Sequence, residues 1–165
     1  MAAEHPLSVM FPMVSTPAEL LAARELLDRA REQLGSSAPL EVGVMIEVPA
    51  AALEASRLAP HLDFFSIGTN DLSQYTMAAE RGNPALAGLL KEALEPVLTL
   101  IANVTAAADE HGRWVGVCGE LAGDPEAALR LVAIGVRELS MAPGRIPGVK
   151  AHLRGADATA VRRPE

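Results

Sequence analysis

The sequence predicts an α/β fold in which parallel strands alternate with helices, and three observations support this prediction. Five short apolar runs recur along the 165 residues, and their nearly continuous apolar character is typical of buried parallel strands. Stretches with recognisable helix start and stop signals separate these runs. Half of the residues are apolar but only 3% are aromatic, so Ala, Leu and Val must fill the core, which favours close packing of helices on a sheet.

The five predicted strands share a length of four to seven residues. They occupy residues 7–13, 42–46, 64–67, 114–117 and 138–141. Because strand and helix alternate, we expect neighbouring strands to be parallel and joined by right-handed crossovers. The pattern fits both an open doubly wound sheet and part of a (β/α)₈ barrel, and it does not separate them.

The predicted helices between the strands have recognisable start and stop signals. Thr16, Pro17 and Glu19 form a predicted capping box with proline at the first helical position, and Gly35 is the expected stop. The sequence Asp124-Pro125-Glu126 opens a later helix in the same way. The remaining helical predictions are residues 50–59 and residues 84–111, the second with a bend or break near Pro96 and an end at Gly112.

Charge and cysteine content exclude several classes of function. A net charge of −7 argues against a nucleic-acid partner or an anionic membrane surface. Cys118 is the only cysteine, so no internal disulfide can form and a reducing compartment is predicted. No apolar run approaches the roughly 20 residues of a membrane span, and residues 1–10 lack the features of a signal peptide. We therefore predict a cytoplasmic protein.

Polar side chains follow three neighbouring strands of the predicted sheet. Glu47 comes directly after the second strand, Asn70 and Asp71 follow the third, and Cys118 follows the fourth. In parallel α/β folds the carboxyl ends of the strands form the edge at which ligands bind. The sequence therefore predicts a functional site at this edge.

Glu47 and Asp71 are the predicted cation ligands. On adjacent strands they would be roughly 5 Å apart, and two carboxylates at that distance share either a proton or a cation. Magnesium is commonly held by one or two carboxylates, with waters and phosphate oxygens completing its coordination. The alternative is that Glu47 caps a following helix and Asp71 begins one.

Cys118 and Arg81 each have two interpretations. A free cysteine is usually a small buried apolar residue, but at a strand end Cys118 could donate a proton. Arg81, in the loop after the Asp71 region, is either an ordinary surface arginine or a bidentate ligand for phosphate or carboxylate.

Three long motifs resemble a known family. They are VMIEVPA at residues 44–50, FFSIGTNDLSQY at residues 64–75 and CGELAGD at residues 118–124. Together they resemble the C-terminal signatures of phosphoenolpyruvate-utilising enzymes, and most nearly phosphoenolpyruvate–protein phosphotransferase, the enzyme I component of the bacterial sugar phosphotransferase system. Pyruvate phosphate dikinase and phosphoenolpyruvate synthase share the barrel, but residues 81–83 and 120–124 look more like enzyme I. The resemblance covers residues 7–153.

This resemblance implies a fold, a reaction and roles for the site residues. The expected fold is a partial (β/α)₈ barrel, of which the chain supplies about the last five βα units. The expected reaction transfers the phosphoryl group of phosphoenolpyruvate to a histidine on a separate domain, releases pyruvate and requires magnesium. In this interpretation Glu47 and Asp71 bind the metal. Asn70, Asp71 and Arg81 bind substrate, and Cys118 exchanges the proton at the methylene carbon of the enolate.

The same resemblance predicts that parts of the functional protein lie outside this chain. We expect the first three barrel strands, the histidine domain and the contact for the phosphocarrier protein to be absent, so that the chain alone is inactive. The domain is expected to span residues 1–154, with a disordered tail at 155–165. Two open sheet edges predict a homodimer.

Three alternatives to the phosphotransferase interpretation remain open. The first is a non-catalytic dimerisation or regulatory module derived from this fold. The second is the C-terminal part of an enzyme like pyruvate phosphate dikinase or phosphoenolpyruvate synthase. The third is a related barrel lyase that acts on phosphoenolpyruvate or pyruvate.

Overall fold

A computed structural model describes residues 5–157 and shows one five-stranded parallel sheet flanked by helices. The strands are β1 (Leu7–Phe11), β2 (Leu40–Ile46), β3 (Phe64–Gly68), β4 (Trp114–Cys118) and β5 (Glu138–Ser140). Their order in the sheet is β1-β2-β3-β4-β5, and every neighbouring pair is parallel. A doubly wound sheet reverses its strand order at a switch point, whereas a barrel adds strands in sequence order. The predicted partial (β/α)₈ barrel is therefore confirmed.

Within residues 5–157, eight helices connect or follow the strands. They are α1 (Pro17–Gln33), α2 (Pro49–Leu53), α3 (Ala55–Leu58), α4 (Thr69–Met77), α5 (Ala87–Lys91), α6 (Leu94–Glu110), α7 (Pro125–Ala133) and α8 (Ile146–Gly155). Short 3₁₀ turns occupy Ala59–His61, Pro84–Leu86, Glu120–Gly123 and Pro143–Arg145. None of the helices in residues 5–157 combines the length and the apolar character that crossing a membrane would require.

The predicted start of α1 is confirmed in detail. The Thr16 side chain accepts a hydrogen bond from the Glu19 N–H, and the Glu19 carboxylate accepts one from the Thr16 N–H at 2.9 Å. Hydrogen bonds from the Ser15 and Thr16 amides hold the pKa of Glu19 below its usual range. The helix ends before Gly35, whose φ of 61° lies in the left-handed region favoured by glycine.

The prediction for residues 84–111 places the break in the wrong position. The chain turns at Glu92 and Ala93, between α5 and α6, and not at Pro96. Pro96 is the third residue of α6, where a backbone N–H has no partner within the helix, so proline is tolerated there. The predicted helix at 50–59 is divided into α2 and α3. Neither α4 nor α8 is predicted by the sequence pattern.

The two faces of the sheet differ in what covers them. The face that we call the helix-covered face includes six side chains that are at most 2% exposed. They are Val44, Ile46, Phe65, Ile67, Val115 and Val117. These side chains pack with apolar residues of α2, α3, α6 and α7 in one core. This core fixes the strands and thereby the positions of the loops at their carboxyl ends.

The opposite side of the same strands, which we call the open face, is more polar and more accessible. Its side chains alternate with those of the core in the strand register. They include Met45, Ser66, Trp114, Cys118, Glu138 and Ser140, all partly or fully exposed. Phe64 and Trp114 stack on this face with ring centroids 4.5 Å apart. A side chain at Gly43 would collide with the Phe64 ring, so the glycine allows that ring to lie against the sheet.

The predicted tail at residues 155–165 only partly falls within the described chain. Its first residue, Gly155, is the last residue of α8. Residues 158–165 lie outside the described residues.

Candidate active site

Glu47 directly follows β2 and is the most deeply buried carboxylate of the predicted site, at 5% exposure. Its Oε1 accepts a hydrogen bond of 2.8 Å from the Met13 backbone N–H. Oε2 lies toward Gly68, where an added Cβ would be 3.2 Å away. Val48, and not Glu47, is the residue before α2, and that helix has no side-chain cap. The capping alternative for Glu47 is therefore wrong.

Glu47 has no ion pair with an arginine or lysine among residues 5–157. A buried carboxylate is expensive to desolvate unless a cation or several donors compensate its charge. Within residues 5–157, the Met13 backbone N–H is the only hydrogen-bond donor to Glu47. The environment of Glu47 therefore fits a carboxylate that accepts a bound cation.

Asp71 lies in the first turn of α4, because β3 ends at Gly68 and the helix begins at Thr69. The prediction that Glu47 and Asp71 stand on adjacent strands is thus wrong for Asp71, and the alternative that Asp71 begins a helix describes its position. The free N–H groups of the first turn favour an acidic side chain there.

Arg81 reaches back to the first turn of α4 and pairs with Asp71. Its Nη2 donates to Asp71 Oδ1 at 2.7 Å, and its backbone N–H donates to Gln74 Oε1 at 3.0 Å. The Arg81 side chain is 46% exposed, so the ion pair is accessible to solvent. The structure thus brings together two residues that the sequence predicted separately.

Cys118 is the last residue of β4 and is half-buried. Burial raises the pKa of its thiol, and the negative charges of Glu47 and Asp71 raise it further, while a hydrogen bond with Ser66 lowers it. The thiol is therefore protonated at neutral pH. The charges of both predicted carboxylates thus act on the predicted thiol.

The turn after Cys118 is held by Thr69, which the sequence interpretation did not assign, and by Asn70, which it assigned to substrate binding. Thr69 Oγ1 donates to the Cys118 carbonyl oxygen at 2.9 Å. Asn70 Oδ1 accepts from the Glu120 N–H at 3.2 Å. Thr69 lies within the motif at residues 64–75. Gly119, directly after Cys118, was the sequence signal that this turn has an unusual backbone conformation. The Met13 contact to Glu47 spans 34 residues and has no local signal.

A groove of about 1180 Å³ adjoins the site. Its lining includes Asn70 and Cys118 of the predicted site, and also Leu90, Arg130 on α7 and Arg145 before α8. Glu47 is not part of this lining.

The side chains of the site can be compared with the ligands that zinc and magnesium require. No group of three His, Cys, Asp or Glu side chains is placed to hold a metal within residues 5–157. Structural zinc sites need four protein ligands and catalytic ones three, so zinc does not fit. Magnesium needs only one or two carboxylates, because waters and phosphate oxygens supply its other ligands. Glu47 and Asp71 fit that smaller requirement.

Comparison with known proteins places this chain in a family. A family model described as "PEP-utilising enzyme, PEP-binding domain" matches residues 1–158. A multiphosphoryl transfer protein of Xanthomonas campestris pv. campestris is 51% identical over 157 residues, which are 95% of this chain and 19% of that protein. A phosphoenolpyruvate-protein phosphotransferase of Haloferax volcanii is 46% identical over 160 residues, covering 94% of this chain and 28% of that protein. The chain thus spans less than a third of either relative.

A solved structure shares the fold at low sequence identity. A citrate lyase from Burkholderia xenovorans LB400 superposes with a TM-score of 0.63 at 18% identity, covering 88% of this chain and 48% of that chain. The likeness therefore extends over nearly all of the present chain but only about half of the larger protein. The family match and the sequence relatives carry the assignment: this chain belongs to the PEP-binding domain family of PEP-utilising enzymes.

Proposed function

We propose that this chain supplies the magnesium and phosphoenolpyruvate site of a phosphotransferase that passes the phosphoryl group to a histidine on another domain. One observation carries the proposal. The Glu47 carboxylate is buried and forms no ion pair within residues 5–157, and its charge, like that of the Arg81-paired Asp71, acts on the Cys118 thiol. The names of the sequence relatives support the same class of reaction.

Glu47 and Asp71 would hold the metal in this proposal. Bound magnesium would offset the negative charge of the phosphoryl oxygens and of the enolate. Oε1 of Glu47 is already oriented by the Met13 N–H, so binding a cation requires little reorganisation of that carboxylate. Asp71 contributes a second carboxylate, which Arg81 orients.

Arg81 and Asn70 would bind the phosphate group. The Arg81 guanidinium uses one nitrogen on Asp71, and its remaining N–H groups are available for phosphate oxygens. The Asn70 carbonyl oxygen accepts the Glu120 N–H, which turns the amide so that its NH₂ group remains a donor. Both side chains thus offer donors where the strand ends meet.

Cys118 would act on the enolate that remains after phosphoryl transfer. The bond between phosphorus and the enol oxygen breaks, and the electron pair stays with pyruvate as its enolate. The Cys118 S–H then gives its proton to the methylene carbon and produces the methyl group of pyruvate. A thiol whose pKa is raised by burial holds its proton at neutral pH until the enolate forms.

The wider setting follows from the relatives and the family resemblance. We propose that the parent protein belongs to the sugar phosphotransferase system, acts in the cytoplasm and meets a phosphocarrier protein through its other domains. The exposed edges β1 and β5 support homodimerisation. This chain alone is proposed to bind ligand without completing the transfer, because it spans only 19% and 28% of the two relatives described above.

Calorimetry tests the binding proposal. We expect phosphoenolpyruvate to bind this chain in the presence of magnesium and to bind more weakly without it. Glu47→Gln removes a negative charge with little change in volume and should abolish the magnesium dependence. Glu54→Gln is the matched control, because Glu54 is a surface carboxylate paired with Arg57. Undetectable binding at millimolar ligand, or unchanged magnesium dependence in Glu47→Gln, would contradict the proposal.

A non-catalytic module is the second candidate, and it is favoured by the small share of the relatives that this chain spans. Exchange of the pyruvate methyl hydrogens in D₂O separates the two candidates. A phosphotransferase site exchanges them through Cys118, and Cys118→Ala should stop this exchange. A binding module shows ligand binding but no exchange in the unmodified chain.

A further inference from the structure

Thr69 links the two strand ends that carry the proposed site. It is the first residue of α4, directly after β3, and only 1% of it is exposed. Its Oγ1 donates a 2.9 Å hydrogen bond to the carbonyl oxygen of Cys118, at the end of β4. A buried hydroxyl that lost this acceptor would remain without a partner, so the contact is strongly favoured.

Gly119 shows how closely the two strand ends approach each other. Its φ of 102° is a conformation that residues with a Cβ rarely adopt. A Cβ at this position would lie 2.5 Å from Thr69 Oγ1 and 3.0 Å from Asn70 Oδ1. The next amide, that of Glu120, donates to Asn70 Oδ1. Thr69 and Asn70, two consecutive residues of α4, therefore bond to the residues on either side of Gly119, namely Cys118 and Glu120.

We propose that Thr69 is a positioning residue for Cys118, and that it acts through its hydroxyl group. The hydrogen bond fixes the carbonyl of Cys118 and so determines the direction in which the thiol leaves the end of β4. The importance of this direction for catalysis rests on the proposed function, in which the thiol must reach the methylene carbon of the enolate. The inferred restraint on the thiol itself does not require a bound ligand.

Two substitutions separate the hydroxyl from the shape of the side chain. Thr69→Val keeps the branched shape and loses the donor, whereas Thr69→Ser keeps the donor and loses the methyl group. Thr105→Val is the matched control, because Thr105 is also buried and donates to a backbone carbonyl, that of Ala102, at 3.0 Å. Thr105 lies on α6 and does not bond to the strand end that carries the thiol.

The rate of alkylation by iodoacetamide at one fixed pH reports on the thiol. Cys118 is the only cysteine of the chain, so the rate has a single origin. In Thr69→Val the freed strand end should expose the half-buried thiol more often, and alkylation should be about three to ten times faster. Thr69→Ser and Thr105→Val should react at the rate of the unmodified chain. Urea denaturation of each variant checks that the rates refer to folded protein.

Three outcomes would overturn the inference. They are an unchanged rate in Thr69→Val, an equal acceleration in Thr69→Val and Thr69→Ser, and an equal acceleration in Thr105→Val. If Thr69→Val does not fold, Gly119→Ala and Gly135→Ala take its place. Both glycines have a φ of 102°, but only the Gly119 substitution presses on Thr69 Oγ1. Alkylation faster in Gly119→Ala than in Gly135→Ala supports the inference, and equal rates overturn it.

The alkylation assay contains neither phosphoenolpyruvate nor magnesium. Its failure would leave the calorimetric test of ligand binding untouched. Conversely, if calorimetry shows no binding while Thr69→Val reacts faster, the restraint on the thiol stands and the proposed function falls.

Discussion

The helix-covered face and the open face of the sheet are built from the same strands, yet they have opposite properties. Phe65 and Ile67 point into the core and are fully buried. Ser66 lies between them on β3, points to the open face and lowers the pKa of the Cys118 thiol. Because strand side chains alternate, the strands present buried aliphatic and aromatic residues to one face and a mixture of polar and apolar residues to the other.

The contrast shows that, within a single strand, the residues that stabilise the fold and those proposed to act in chemistry occupy different positions. The core holds the strands in register, and their carboxyl ends then place Glu47 and Cys118. Substitutions of core side chains should therefore reduce stability, whereas substitutions of the site side chains should mainly change binding and thiol chemistry. The following predictions test that separation.

The largest expected effect is loss of stability in Phe65→Ala. This ring is fully buried in the core, and its removal should cost about 3–5 kcal/mol of unfolding free energy, through lost burial and the cavity left behind. Met45→Ala on the open face is the comparison, with an expected cost of about 1–2 kcal/mol because Met45 is only partly buried. Urea denaturation measures both. Equal losses would remove the distinction between the two faces.

A smaller loss is expected in Gly119→Ala. Strain from the positive φ should cost about 1–2 kcal/mol in both Gly119→Ala and Gly135→Ala. The Gly119 variant should lose about 1–3 kcal/mol more, because its Cβ would meet Thr69 Oγ1 at 2.5 Å, whereas the closest atom to the Gly135 Cβ is 3.7 Å away. Urea unfolding of both variants measures the difference. Similar values would mean that the turn after Cys118 is not tightly closed.

Arg81→Ala should weaken ligand binding far more than it weakens the fold. Its ion pair with Asp71 is accessible to solvent, so the change in stability should stay below about 1 kcal/mol. Loss of the phosphate contact should lower the affinity for phosphoenolpyruvate at least about tenfold. Arg57→Ala, which removes another exposed ion pair, is the control for calorimetry and denaturation. Equal affinities in both variants would exclude Arg81 from the site.

The smallest effect is a shift in the pH dependence of Cys118. Burial, followed by the charges of Glu47 and Asp71, raises the pKa of the thiol. The folded chain therefore holds this proton to higher pH than the unfolded chain. The resulting stabilisation is complete below the unfolded pKa and is lost as pH rises through the folded pKa. Alkylation rates against pH, in buffer and in concentrated urea, should show the higher midpoint in the folded chain. Coinciding midpoints would contradict this.

Elements with local signals could be predicted from the sequence. The α1 start follows from Thr16 and Glu19, and the α7 start from Asp124, whose side chain accepts the Ala127 N–H at 2.9 Å. The strands follow from their apolar runs. By contrast, α8 contains Pro147 and Gly148 near its beginning, and these residues hide its helical character. The start of α4 was predicted only as the alternative interpretation of Asp71, because Asn70 and Asp71 resemble loop residues.

The sequence alone determined the alternation of strands and helices, the family resemblance and the residues that follow each strand. Tertiary structure decided which residues contact each other across long separations. Met13 meets Glu47 only because β1 and β2 pair in a particular register, and Thr69 meets Cys118 only because β3 lies beside β4. Local preferences are encoded within a few residues, whereas these contacts depend on the packing of the whole sheet. That packing therefore determines which of the predicted residues lie near one another at the carboxyl ends of the strands.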